Sequence, residues 1–113
     1  MSLRQGDIIE AEVLDPNGAN LKPRPIVILT PTEEISSTFV GVAISAQPVL
    51  KASEMVIEIR SSEYGHPKTG LWKKSHAICE WVVEVTVEEI HKELGYASKR
   101  ELAAVLNGVN LIE

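Results

Sequence analysis

Aromatic residues are scarce in this chain, at 4% of 113 residues. A core built from it must be mostly Val, Ile, Leu and Ala. Cysteine is nearly absent: the single Cys79 excludes an internal disulfide and a cysteine-based metal cage. No apolar run approaches the roughly 20 residues of a membrane span. The opening Met1-Ser-Leu-Arg-Gln-Gly6 has no apolar targeting region. An excess of positive charge is also missing. The formal net charge is −5 at pH 7, which counts against a general nucleic-acid binder with a basic surface, although a local basic patch can work inside an acidic protein. These absences predict a soluble, cytoplasmic protein with no membrane contact, folded as one domain over residues 1–113 around a single core.

What is present is a series of short apolar runs. Asp7 to Leu14 alternates, with Ile9, Ala11 and Val13 on one side and Glu10 and Glu12 on the other, the pattern of a strand with one wet face. Asp15-Pro-Asn-Gly18 is a turn. Pro25-Ile-Val-Ile-Leu29 and Phe39-Val-Gly-Val-Ala-Ile44 read as buried strands, over about residues 25–30 and 38–45. Gly41 within the second points to a bulge or close packing. Between them lies a polar loop, Pro31 to Ser37, and Gln47-Pro48 ends the second run. A fourth strand is predicted at Met55–Ile59 and a loop over 60–74. A fifth strand, Ser75–Val85, is predicted to bend near Glu80-Trp81.

The tail changes character. Thr86-Val-Glu-Glu89 and Ser98-Lys-Arg-Glu101 both fit a capping box. The first predicts a short helix stopped by Gly95. The second predicts a helix with Leu102, Val105 and Leu106 as its apolar stripe, stopped near Gly108. Strands followed by helices make a mainly β fold: a small barrel-like sheet with short helices packed on it.

The two central strands each deliver a polar residue to their own end. Arg24 precedes one, held between Pro23 and Pro25 on a stiff, extended stretch. Ser45 follows the other. Fixed polar groups at the ends of neighbouring core strands can build a site on a rigid scaffold. Equally, Arg24 reads as a surface arginine in an ion pair, and Ser45 as a turn former. Lys68, Lys73 and Lys74 surround Trp72, with Tyr64, His66 and His76 nearby. That is a basic, aromatic cluster or a solvated loop. Trp72 and Trp81 can stack on bases or serve packing. His66, His76 and His91 lack ligand-like spacing, so no metal or other cofactor is expected. His76 is a candidate general base if it faces the site.

Gly6-Asp-Ile-Ile9, Lys22-Pro-Arg-Pro-Ile-Val-Ile-Leu29 and Val42-Ala-Ile-Ser-Ala-Gln47 together resemble the MazF/PemK/Kid family, the toxin halves of type II toxin–antitoxin pairs. Ser75–Val85 is similar to that family's fifth-strand region, and Leu94-Gly95 with Ser98–Val105 to its closing segment. The resemblance implies an SH3-like barrel, a homodimer and a cognate acidic antitoxin. It also implies a sequence-specific, metal-independent endoribonuclease (an mRNA interferase) that inhibits growth by cutting RNA. Arg24 matches the catalytic arginine and Ser45 the catalytic hydroxyl. Glu80 matches an acidic position near the RNA groove, and Asp15 to Gly18 fall in the loop over the active site. The RNA-binding positions are then Asn17, Lys22, Gln47, Lys73, Lys74 and Glu80. The chain departs from the family in a shorter loop at Asn17–Asn20, in Trp81 where a glutamine is usual, and in Val83 where a base is usual. The same fold also supports a non-catalytic binding module that poisons gyrase or engages only an antitoxin.

Overall fold

The computed structural model describes residues 3–30, 38–47 and 53–111. In chain order these form β1 (Asp7–Val13), β2 (Lys22–Ile28), β3 (Thr38–Ser45), β4 (Val56–Ile59), β5 (Ser75–Thr86), β6 (Ile90–Tyr96) and α1 (Lys99–Asn110). Every pairing is antiparallel, in the order β4-β5-β3-β2-β1-β6. The predicted mainly β architecture is present, with two corrections. The sheet stays open, with β4 and β6 at its edges, yet it brings β1 against β5 and β2 against β6. Among the described residues one α-helix packs on it, not several. The polar loop read over 31–37 and the strand-ending Pro48 lie outside the described residues.

Both faces of the sheet carry apolar packing, so β1 buries Ile8 as well as Ile9, Ala11 and Val13. On one face Ile8, Val27, Val42, Ile44 and Cys79 gather with Val105 of α1. On the other are Ile9, Ala11, Ile26, Ile28, Phe39 and Val85. Full burial of each valine, isoleucine or phenylalanine among them contributes about 1.5–3 kcal/mol. The shortage of aromatics is met as expected, by close-packed branched aliphatics.

β2 starts three residues before its apolar run, so Pro23 and Pro25 fall inside it. There β2 pairs with β1 alone, and pairing with β3 begins at Ile26. A free edge accommodates residues that have no N–H to offer. Gly41 sits at a close approach and not at a bulge. A Cβ there would lie 2.5 Å from Ile26 Cγ2 and 2.7 Å from the Val27 carbonyl oxygen. The irregularity lies in β5, where the residues between Ala77 and Val82 oppose only Ala43 of β3. The bend predicted at Glu80-Trp81 is in that stretch.

Both capping boxes form, with different consequences. The first opens only one 3-10 turn, Val87–Glu89. The chain then becomes β6 and not a helix running to Gly95. Its pairing with β1 satisfies backbone groups that an exposed edge would leave unpaired. In the second, Ser98 Oγ accepts from the Glu101 N–H, and the Glu101 carboxylate accepts from the Ser98 N–H. α1 runs through Gly108 to Asn110. Gly108 does not stop it. A Cβ at this glycine would lie 2.6 Å from Cys79 Sγ, so the residue lets the helix seat on β5.

Candidate active site

Arg24 stands opposite Ala11 on β2. Its guanidinium is held on three sides. Nε donates to the Val13 carbonyl at 3.3 Å and Nη2 to the Asn20 carbonyl at 2.9 Å. The Trp81 ring lies beneath, with its centroid 5.0 Å from Cζ, a cation–π contact. Nη1 has no hydrogen-bond partner among the described residues.

The β1–β2 turn builds this clamp. Asp15 Oδ1 accepts from the backbone N–H groups of Asn17 and Ala19, and its Oδ2 from the Asn20 amide. Hydrogen bonds from Ala19 and from the Asn20 side chain lead in pulling the Asp15 carboxyl below its ordinary range. Asn20 takes the left-handed backbone conformation (φ 53°), which asparagine tolerates better than most residues, and its carbonyl meets the arginine.

Ser45 ends β3. The last β2–β3 pair at this end is Ile26 with Ala43. Two residues further along each strand come Arg24 and Ser45, which alternation assigns to the same face. Ser45 Oγ accepts from the Gln47 N–H at 3.1 Å. It therefore forms the turn the sequence allowed, while its hydroxyl proton has no acceptor among the described residues. Arg24 and Ser45 line one groove of about 550 Å³, together with Lys22, Gln47, Trp72 and Lys73. Leu71, buried beside them, and Ser75, whose hydroxyl donates to the Lys73 carbonyl, complete the lining on the β5 side.

Other predicted residues lie elsewhere. Lys74 is exposed on the same loop but does not line the groove. Asn17 is exposed in the β1–β2 turn. Glu80 lines a second pocket, of about 510 Å³, with Asp15, Trp81 and Glu84, and does not line the groove that holds Arg24. His76 pairs with Ser45 across β3 and β5, but its Nδ1 is buried without a hydrogen-bond partner among the described residues, and it is not among the groove-lining residues. Sequence reading missed Glu10, whose strand alternation marked it only as solvated; it lines the groove too. Among the described residues no group of three or more His, Cys, Asp or Glu could hold a metal ion, and no helix is long and apolar enough to cross a membrane.

Residues 4–112 match the model of a family described as PemK-like, MazF-like toxin of type II toxin–antitoxin system. A search of curated protein sequences finds no match. Among solved structures, MazF (Form-I) from Deinococcus radiodurans superposes with a TM-score of 0.75 at 11% identity, over 99% of this chain and 96% of that one. An endoribonuclease in complex with its cognate antitoxin, from a mycobacterial species, gives 0.72 at 11% identity, over 96% and 92%. The Mycobacterium tuberculosis toxin MazF-mt6 gives 0.68 at 16%, over 93% of each chain. At 11–16% identity, these superpositions show a shared fold and nothing further.

Proposed function

Because the chain belongs to the PemK-like, MazF-like toxin family of type II toxin–antitoxin systems, we propose that it is a metal-independent endoribonuclease that cuts single-stranded RNA in the Arg24–Ser45 groove. The observation that carries the proposal is a clamped guanidinium, its Nη1 without a hydrogen-bond partner among the described residues, sharing a groove with a hydroxyl and two lysines.

RNA brings its own nucleophile. The 2′-oxygen attacks the adjacent phosphorus, an O2′–P bond forms, and the P–O5′ bond breaks to leave a 2′,3′-cyclic phosphate. The 2′-proton passes to water, and the departing 5′-oxygen takes one back. Between these states the phosphorane carries extra negative charge. Arg24 is suited to stabilise it, since a guanidinium stays protonated and can bind two phosphate oxygens in its plane. Its clamp means that little reorganisation is needed when that charge develops. Ser45 donates its hydroxyl proton, which has no acceptor among the described residues, to a phosphate oxygen and is not a nucleophile. Lys22 and Lys73 attract the flanking phosphates. A cognate antitoxin with an acidic segment would meet the same cations, and a homodimer is the assembly this reading assumes.

A second reading, a toxin-like module that binds without cutting, is favoured by Glu10 in the groove and by Val83 on the wall of the neighbouring pocket, where the family resemblance leads one to expect arginine or lysine. Long RNA incubated with the protein in EDTA separates the two. Defined fragments with cyclic phosphate ends support the enzyme, and intact RNA supports the binder.

A further inference from the structure

Trp72 has no part in the mechanism above. The side chain of an unused tryptophan is ordinarily buried, yet this one is 62% exposed. It stands in the loop before β5, where Leu71 is buried and anchors the backbone beside it. Lys73 Nζ lies over its ring, 4.5 Å from the centroid. Both side chains line the groove that contains Arg24 and Ser45. An exposed indole beside three cations suits a ligand that alternates flat π-surfaces with negative charge.

We propose that Trp72 is a stacking platform for a nucleobase flanking the scissile phosphate, with Lys73 paired to the phosphate of that same nucleotide. The assignment rests on the proposed RNA groove and adds a base subsite to it. The base takes the face of the indole now covered by the Lys73 ammonium, and the displaced ammonium meets the phosphate on the adjoining backbone. Stacking of this kind tolerates any base, because every base has a π-face. Trp72 therefore sets affinity and requires an unpaired strand, while leaving the chemical step to Arg24. A duplex, whose bases are already stacked on one another, cannot use the platform.

The test is binding of a short, labelled single-stranded RNA with 2′-O-methyl riboses, which cannot be cleaved, to the parent, Trp72→Ala, Trp72→Phe and Arg24→Ala. The expected result is affinity about 5- to 100-fold weaker for Trp72→Ala, with most of it restored in Trp72→Phe. Replacing the nucleotides one at a time by abasic sites should reveal one position at which the loss caused by Trp72→Ala disappears. Unchanged affinity for Trp72→Ala overturns the stacking assignment. If Arg24→Ala weakens binding in the same series, the groove itself still stands. An oligoglutamate that binds the parent and loses as much affinity in Trp72→Ala also overturns base stacking, since it has no bases. No binding of the RNA by the folded parent removes the groove reading together with the subsite.

Discussion

Arg24 is held by neighbours that came from separate parts of the chain: the Val13 and Asn20 carbonyls and the Trp81 ring. Two of these neighbours, Trp81 and Asn20, make distinct predictions. Trp81→Ala removes the surface beneath the guanidinium and should lower kcat about tenfold with little change in KM, while Trp81→Phe keeps most of the activity. Asp15→Ala should act through Asn20, loosening the turn and slowing cleavage roughly ten- to a hundredfold without changing the thermal midpoint by more than a few degrees. Cleavage time courses with circular dichroism on the same samples check both. An Asp15→Ala variant with full activity would show that the turn does not position the arginine.

At the scale of elements, α1 depends on two contacts a sequence only partly reveals. Glu101 closes its own capping box and also accepts from the Arg60 backbone N–H at 2.8 Å and from the Arg60 guanidinium. Burial pushes the Glu101 carboxyl up, but the hydrogen bonds from Ser98 and Arg60 outweigh it and the net direction is down. A carboxylate whose folded pKa lies below its unfolded one stabilises the fold fully above the unfolded value. That stability is lost as pH falls through the folded value. Urea midpoints should therefore drop as the pH is lowered below the ordinary glutamate range, and the drop should be smaller in Glu101→Gln. Glu101→Ala should cost about 2–3 kcal/mol at neutral pH. Gly108→Ala gains about 1 kcal/mol of helix propensity but drives a methyl into Cys79, so a net loss of roughly 1–2 kcal/mol is expected in the same melts.

The elements also show what a one-dimensional reading reaches. Alternation and branched residues located five strands, and the Ser98 box located α1. β6 was misread as a helix because Thr86–Glu89 is a true capping box. What ended the helix after one turn was the unpaired edge of β1, a tertiary demand that no local pattern records. Likewise Gly108 looks like a stop until Cys79, on another element, is seen against it. At the candidate site, the meeting of Arg24 and Ser45 on one groove was legible because each sits at the end of a buried run. The separation of Glu80 from them was not, because it depends on where the β1–β2 turn lies relative to β5.

On the scale of the whole molecule, an acidic chain with a net charge of −5 needs its cations concentrated in one place if it is to bind RNA as proposed. Lys22, Arg24 and Lys73 do share one groove, and Glu12, Asp15, Glu80, Glu84 and Glu89 line the neighbouring pocket. RNA affinity should accordingly fall steeply with salt, and Lys22→Ala should flatten that dependence by about one phosphate contact, as read from binding measured across a salt series. The most direct test of the central claim is the single-turnover rate of RNA cleavage in EDTA by the parent and by a folded Arg24→Ala variant. The account predicts cyclic phosphate products from the parent and a rate at least about 100-fold lower for the variant. Equal rates for the two proteins, or a folded parent that leaves RNA intact, would contradict it.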